Sequence, residues 1–231
     1  MPDPHSEATR EAAHELPYRD ELKRKALHLL ALVVPFGMAV LGRPRAFLLL
    51  APAALLALLA DTLRAHSAPF ARVIERIFGP LMCPEEWGTK GRPAADGRVT
   101  INGATWVLVS AALLTLIFPL RLAVPVFTMF MIGDAAAALV GRRYGRVHWG
   151  QNPRTVEGSA AFLLAGLAVM AFFPGVGFWT GAAGTLAACL AEALPRPFND
   201  NLRVPLVAAS VMALIEWLAT GHALPLFNPL A

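Results

Sequence analysis

The chain has 231 residues, of which 56% are hydrophobic and 16% charged, and this balance excludes an ordinary soluble domain. The formal net charge of +4 fits contact with anionic lipid and requires no nucleic-acid partner. Cys83 and Cys189 are isolated from each other in the sequence, which argues against a structural disulfide and against a zinc site. Composition therefore predicts an all-α, polytopic integral membrane protein.

The chain begins with a polar stretch. Residues 1–24 are rich in charged side chains and show no cleavage-site pattern after a short apolar run, so no secretory signal peptide is predicted. We expect residues 1–24 to form a polar cytoplasmic segment and residues 25–231 to form a single transmembrane helical domain.

Seven later segments are long and apolar enough to cross a membrane, which takes about 20 residues each. In chain order they cover Lys25 to Gly42, Ala46 to Arg64, Ile101 to Pro119, Leu122 to Gly141, Val156 to Pro174, Val176 to Leu194 and Leu202 to Gly221.

A short amphipathic segment lies between the second and third of these spans. Its apolar residues recur at helical spacing, opposite Arg72, Glu75 and Arg76; they are Phe70, Val73, Ile74, Ile77 and Phe78. The pattern predicts a short interfacial helix on the cytoplasmic leaflet. Periodicity alone fits a loop helix packed on protein equally well.

Positive charge is distributed unequally between the two sides of this topology. Of the 20 Lys and Arg residues, all except Arg43, Arg45 and Arg121 fall on the side of the N-terminus. The positive-inside rule then predicts a cytoplasmic N-terminus and an outside C-terminus. We expect an integral protein of a bacterial inner (plasma) membrane.

The fourth span carries an acid at membrane depth. Asp134 lies in GDAAAALVGRRYG (Gly133 to Gly145), and a second acid, Glu157, follows in RTVEGS (Arg154 to Ser159). A carboxylate within the membrane is costly and is usually retained for function. Two acids around a basic turn suggest a site for a divalent cation and phosphates. The backbone N–H groups of Gly141, Gly145 and Gly150, together with nearby arginines, suit phosphate oxygens. On one face of this span, small residues at Gly133, Ala137 and Gly141 form a stripe that permits close helix packing.

Most other unusual polar residues share one depth. Asp134 is predicted about 10 Å inside the cytoplasmic end of its helix, and the outer half is nearly bare except for Glu216 and His222. This one-sidedness favours chemistry at the cytoplasmic interface over a path through the membrane. The residues at the cytoplasmic face are Glu21, Lys25, His28, Asp61, Asn102, Glu157, Ser159, Glu192, Asn199, Asp200 and Asn201.

Several of these residues also have a structural explanation. Asp134 fits a buried ion pair, and the basic loop fits the positive-inside rule. Glu157 and the Asn199–Asn201 run suit helix starts. Glu21 and Lys25 suit an i,i+4 pair, while His28 suits a core histidine. Their shared depth is what favours a functional site.

Several motifs together resemble the CTP-dependent polyprenol kinase family, which includes dolichol, phytol and farnesol kinases and the yeast-type CTP-dependent diacylglycerol kinase. The resemblance covers Glu21 to about Pro205. Family members usually have lysine where this chain has Arg154, and the two residues are not interchangeable. Besides the two motifs above, the matching segments are ELKRKALH (Glu21 to His28), ADTLR (Ala60 to Arg64) and FNDNLRVP (Phe198 to Pro205).

The resemblance implies transfer of the γ-phosphoryl group of CTP, or another nucleoside triphosphate, to a long-chain isoprenoid alcohol such as phytol, geranylgeraniol or a polyprenol, with Mg²⁺. From depth and motif together, we expect Asp134 and Glu157 to be catalytic metal ligands, and we expect Asp200 to act either as a third carboxylate or as the acceptor of the alcohol proton. Nucleotide and phosphate binding is expected from Arg24, Lys25, Gly141, Arg142, Arg143, Arg154, Ser159 and Asn201. Supporting roles are expected for Glu21, His28, Asp61, Asn102 and Glu192.

Two alternatives stay open from the sequence. A cytidylyltransferase that makes a CDP-lipid would also use CTP, Mg²⁺ and membrane carboxylates. An ion-coupled transporter would also carry intramembrane acids. The sequence leaves open the acceptor alcohol, the choice of CTP or ATP, the general base and the oligomeric state.

Overall fold

A computed structural model describes residues 25–26, 28–78, 99–150, 153–194, 198–222 and 226–227. Across these ranges the regular secondary structure is helical, apart from one isolated β-bridge between His148 and Thr155. Residues 28–30 are helical and lead into the first helix. The helices are α1 (Val33–Leu41), α2 (Arg43–His66), α3 (Ala68–Phe78), α4 (Gly103–Ile117), α5 (Leu120–Tyr144), α6 (Val156–Ala171), α7 (Phe178–Ala193) and α8 (Asp200–Thr220).

Three of these helices, α2, α5 and α8, are long and apolar enough to cross a membrane. Helices α4, α6 and α7 have 15, 16 and 16 residues, which gives lengths of about 22–24 Å. A hydrocarbon core is about 30 Å thick. The all-helical class is therefore confirmed for the described residues, and three helices are suited to cross a membrane, whereas the number of seven spans stays a prediction.

Helix α3 occupies the place where periodicity predicts an amphipathic helix. It follows α2 after Ser67, and Ala71 is buried while Arg72, Val73 and Arg76 are exposed. The helix is therefore present, and its place on the cytoplasmic leaflet stays a prediction.

Helix α5 lies at the centre of the bundle and packs against α1, α6 and α8. Its Phe127, Met129 and Phe130 are fully buried. A Cβ atom on Gly133 would lie 3.1 Å from the Phe162 ring of α6, and one on Gly158 would lie 2.9 Å from the carbonyl oxygen of Ala137. This confirms that small residues on α5 permit close packing, here against α6.

Side-chain caps begin three helices. Asn102 accepts the Ala104 N–H at 2.8 Å to begin α4. Thr155 accepts the Gly158 N–H at 3.1 Å to begin α6. Asn199 accepts the Asn201 N–H at 3.0 Å to begin α8. Because these side chains satisfy N–H groups that have no partner inside their own helix, they fix where each helix starts.

The three capped starts lie at the same end of the bundle as the last turns of α2 and α7. Asp61 of α2 contacts Asn102, and Arg154 before α6 contacts both Glu192 of α7 and Asp200 of α8. We call this the polar end.

The opposite end is held by different contacts. The Arg43 guanidinium donates to the carbonyl oxygens of Thr115 and Leu116 at 3.0 and 3.1 Å, at the end of α4. Arg121 of α5 pairs with Glu216 of α8 through both carboxylate oxygens, at 2.7 and 2.6 Å. The Arg43 contacts supply partners to carbonyls at the end of α4. The Arg121 contact supplies a partner to Glu216, an acid that the sequence places in the outer half.

Candidate functional site

The acid of α5 is paired with residues from the start of the described chain. The Lys25 ammonium donates to Oδ2 of Asp134, and Nε2 of His28 lies 3.3 Å from the same oxygen. The side chains of Lys25, His28 and Asp134 are 8%, 13% and 21% exposed. The His28 ring also packs edge-on against Phe130, with ring centroids 6.0 Å apart. Asp134 therefore faces protein and lies against the segment that leads into α1.

A second group of charges surrounds Arg154, just before α6. Its Nε lies 3.1 Å from Oε1 of Glu192, and its terminal nitrogen pairs with Oδ2 of Asp200. The other oxygen of Asp200 accepts from Arg203 at 2.5 Å. One guanidinium thus joins the start of α6 to α7 and α8, which uses the planar fork of arginine.

Glu192 lies near both groups. Its side chain is 9% exposed, and the charges of Arg154, Asp134, Asp200 and Lys25 all act on its carboxylate. Among the described residues, three acids and three bases therefore lie near one another in two ion-paired groups, and their formal charges balance. We call this set the charge cluster: Lys25, Asp134, Arg154, Glu192, Asp200 and Arg203.

The loop between α5 and α6 is bound to the first turn of α6. The Val147 N–H donates to both carboxylate oxygens of Glu157 at 3.3 Å. The indole N–H of Trp149 donates to the Ser159 hydroxyl at 3.0 Å. Glu157 and Ser159 therefore position this loop, and the described contacts of Glu157 lie with the loop rather than with Asp134.

The two glycines of this loop have different structural reasons: Gly145 is required by close packing, whereas Gly150 has a φ of 61° and open space around it. The Gly145 N–H donates to the Gly141 carbonyl at 2.9 Å, and the Gly150 N–H donates to the His148 carbonyl at 3.0 Å. A Cβ atom on Gly145 would lie 2.5 Å from Cγ2 of Thr155. In this arrangement the two N–H groups are used within the loop, so phosphate contacts would have to come mainly from side chains.

Arg142 and Arg143 lie exposed in the last turn of α5. The Arg143 guanidinium lies 5.5 Å from the centre of the Tyr144 ring. Both arginines belong to the same end of the bundle as the charge cluster, where the sequence predicts phosphate binding.

Asp61, Asn102 and Asn201 join helices at the polar end. Oδ2 of Asp61 accepts from the Asn102 N–H at 2.8 Å and from the Thr105 hydroxyl at 2.7 Å. The Asn201 amide donates to the Gly103 carbonyl at 3.2 Å. These contacts connect α2, α4 and α8, so they explain the three residues structurally.

Two predicted site residues, Glu21 and Arg24, lie outside the described residues.

Sequence reasoning did not identify two residues that make contacts at the polar end. Arg203 stands three residues after Asp200 on one helix, a spacing that signals an ion pair. Trp149 lies in an irregular loop, where no periodic signal exists to identify its contact with Ser159.

Carboxylate oxygens are the ligands that Mg²⁺ prefers, and Mg²⁺ commonly binds to one or two carboxylates plus substrate phosphates. Within the described ranges, no group of three or more His, Cys, Asp or Glu side chains is placed to hold a metal ion. The described acids therefore do not make a metal cage from protein alone, and a metal bound by one or two of them would need its remaining ligands from a substrate.

The chain is similar to an uncharacterized protein of Rickettsia prowazekii (strain Madrid E). The two are 24% identical over 194 residues, which cover 80% of this chain and 90% of the relative. No family model matches the chain, and no solved structure matches it. The similarity runs through most of both proteins and thus concerns the helical domain as a whole.

Proposed function

We propose that this chain is a lipid-alcohol kinase of the CTP-dependent polyprenol kinase type. It would transfer the γ-phosphoryl group of CTP, or another nucleoside triphosphate, to a long-chain isoprenoid alcohol. One observation carries the proposal: the charge cluster gathers three acids and three bases at one end of a bundle with membrane-spanning helices. Phosphoryl transfer depends mainly on positioning and charge neutralisation, for which such a cluster is suited.

The proposed topology has seven spans crossing a bacterial inner membrane, namely α1 together with the helical segment that leads into it, α2, and α4 to α8. The polar end would face the cytoplasm, with the N-terminus inside and the C-terminus outside. Phe178 and Trp179 support an alignment of the bundle with the membrane normal and do not distinguish its two sides. They form an edge-to-face pair at 5.0 Å, are 75% and 78% exposed, and begin α7 at the end away from the cluster, as aromatic residues do at membrane interfaces.

The balanced charge of the cluster supports a specific change upon substrate binding. A nucleoside triphosphate brings several negative charges, so Lys25 and Arg154 would turn from carboxylates to phosphate oxygens. Arg142, Arg143, Ser159 and Asn201 remain predicted to contribute at the same end. The carboxylate of Asp134, with Glu157 predicted as its partner, would then hold Mg²⁺, which supplies charge neutralisation when bound.

In the reaction, the alcohol oxygen forms a bond to the γ-phosphorus. The bond from that phosphorus to the β–γ bridging oxygen breaks, CDP leaves, and the alcohol proton passes to a base or to solvent. Both carboxylate oxygens of Asp200 are engaged by Arg154 and Arg203. This supports a positioning role for Asp200, which keeps the Arg154 guanidinium directed at the cluster.

The proposal is tested by incubating the purified protein with Mg²⁺ and CTP or ATP labelled at the γ-phosphate. The acceptors are phytol, geranylgeraniol, farnesol, a polyprenol and diacylglycerol, each in a separate reaction. We expect label in the organic phase as a lipid monophosphate, and we expect a divalent-cation chelator to abolish it. Absence of labelled lipid for every donor and acceptor pair would refute the proposal.

A further inference from the structure

An apolar groove lies between the end of α4 and one face of α8. Its volume is about 550 Å³, within the range of about 300–1,000 Å³ that is usual for small-molecule sites. Residues from α8, from the end of α4 and from the turn at 226–227 line it, among them Phe118, Leu206, Ser210, Ala213, Trp217 and Phe227.

The groove follows the seam between α4 and α8. The α8 residues Leu206, Ser210, Ala213 and Trp217 lie on one helix face and span about 16 Å along the axis. At the polar end of the same seam, the Asn201 amide donates to the Gly103 carbonyl at 3.2 Å. Asn201 is next in sequence to Asp200 of the charge cluster. The groove therefore extends along this seam away from the cluster.

The turn at residues 226–227 makes this surface concave. The Phe227 N–H donates to the Ile117 carbonyl at 2.9 Å, which holds the turn against the end of α4. Phe227 has a φ of 54°, a left-handed backbone conformation that is uncommon for a bulky residue. The wall that it forms distinguishes the groove from the convex, lipid-facing surface of a single helix.

The chemistry of the lining identifies the occupant. Apart from the Ser210 hydroxyl and the Trp217 indole N–H, the side chains that line the groove are apolar, so water would find few of the two to four polar partners that it needs. Because α8 is one of the helices able to cross a membrane, its open face meets hydrocarbon. We infer that the groove binds the hydrocarbon chain of the lipid alcohol, with the hydroxyl end directed along the seam to the charge cluster. The identification of this hydrocarbon as part of the acceptor alcohol rests on the proposed function.

Trp217 provides a direct test, because it lines the groove and is 51% exposed. Quenching of tryptophan fluorescence is measured as a brominated long-chain alcohol is added to the purified protein without nucleotide. We expect saturable quenching that is lost in Trp217→Phe and kept in Trp179→Phe, since Trp179 is 78% exposed at the start of α7 and lies outside the groove lining.

A groove-filling variant gives the second measurement. Ala213→Phe should lower the apparent affinity for the brominated alcohol by about tenfold, a factor that corresponds to about 1.4 kcal/mol. The comparison variant is Ala168→Phe, because Ala168 lies on α6 outside the groove lining. Since Ala213 is 9% exposed and Ala168 is exposed, thermal unfolding in detergent is recorded for both variants.

The inference would be overturned if Trp217 and Trp179 were quenched equally and without saturation. It would also be overturned if Ala213→Phe bound the brominated alcohol with unchanged affinity. Since the readout needs no nucleotide, it fails or succeeds independently of phosphoryl transfer. Saturable quenching without kinase activity would show a lipid site and refute the proposed function alone. Kinase activity without Trp217 quenching would refute the groove assignment alone.

Discussion

The ammonium of Lys25 and the carboxylate of Asp134 form an ion pair across 109 residues of sequence. Their side chains are 8% and 21% exposed, so the pair is largely shielded from the surroundings. Removing one partner of a buried pair leaves the other charge without compensation. This pair therefore connects the start of the helical domain to its central helix α5, and it keeps the acid of α5 within protein.

Asp134→Asn tests the role of this carboxylate in phosphoryl transfer. Because the neutral amide is a poor metal ligand, we expect transfer to fall by at least about 100-fold, the size of effect seen when one electrostatic catalytic group is removed. The measurement is the rate of label transfer per folded protein, with thermal unfolding in detergent recorded beside it. Glu216→Gln is the matched control, since Glu216 is also ion-paired, to Arg121, but at the opposite end. Similar activity in both variants would remove Asp134 from the mechanism.

Arg154→Lys tests the guanidinium fork. Arg154 contacts Glu192 through Nε and Asp200 through a terminal nitrogen, and a single ammonium cannot reproduce that geometry. We expect transfer to fall by about 10- to 100-fold, as for residues that orient a reactive site. The exposed loop residue Arg146 offers the control Arg146→Lys, for which we expect little change. Full activity of Arg154→Lys would contradict this prediction and would show that a positive charge alone is required at this position.

Asp61→Ala separates structural acids from catalytic ones. Asp61 is buried and accepts hydrogen bonds from the Asn102 N–H and the Thr105 hydroxyl, so its removal leaves buried donors without this acceptor. We expect a loss of about 1–3 kcal/mol in the free energy of unfolding, with activity per folded molecule retained. The control is Thr62→Ala, because the Thr62 hydroxyl is exposed and bonds only locally, to the Leu58 carbonyl. A catalytic loss as large as that of Asp134→Asn would place Asp61 in the reaction.

Gly158→Ala tests the close approach of α5 and α6. The added Cβ would lie 2.9 Å from the Ala137 carbonyl oxygen and 3.1 Å from Oγ1 of Thr155. We expect destabilisation of about 1–3 kcal/mol, as for overpacking generally, seen as a lower unfolding temperature in detergent. Gly37→Ala should instead be neutral or stabilising, since nothing lies within 4 Å of its added Cβ and alanine favours a helix. Equal effects of the two substitutions would contradict this packing.

The sequence predicts that the polar residues converge at one end of the bundle, because helix length and loop position assign a depth to each residue. Depth does not determine which acid meets which base. That pairing depends on the rotation of each helix about its axis, and the sequence offers no direct signal for it. Glu192 shows the consequence: it was expected only in a supporting role, yet its carboxylate contacts Arg154 and lies near both groups of the charge cluster.

The glycines illustrate a different limit. From sequence, Gly141, Gly145 and Gly150 looked suited to present N–H groups to phosphates. In the structure, Gly145 and Gly150 donate within the loop, and a side chain at Gly145 would meet Thr155. A glycine signals either a close approach of the backbone or a positive φ. Only the fold shows that Gly145 approaches protein and that Gly150 has a φ of 61°.

Helix length was also overestimated for some spans. The apolar run of the third span extends to Pro119, but α4 ends at Ile117, and α6 ends at Ala171 although the fifth span was predicted to reach Pro174. Hydropathy detects apolar composition, whereas a helix ends where its backbone leaves the helical conformation. Span boundaries therefore depended on local backbone geometry that composition does not encode.

The most direct test of the central claim compares CTP labelled at the α-phosphate with CTP labelled at the γ-phosphate, in parallel reactions of the same purified protein with Mg²⁺ and an isoprenoid alcohol. Phosphoryl transfer predicts lipid-bound label from the γ-labelled donor alone, with its loss in Asp134→Asn and its retention in Glu216→Gln. Lipid-bound label from the α-labelled donor, or no labelled lipid from either donor, would contradict the account.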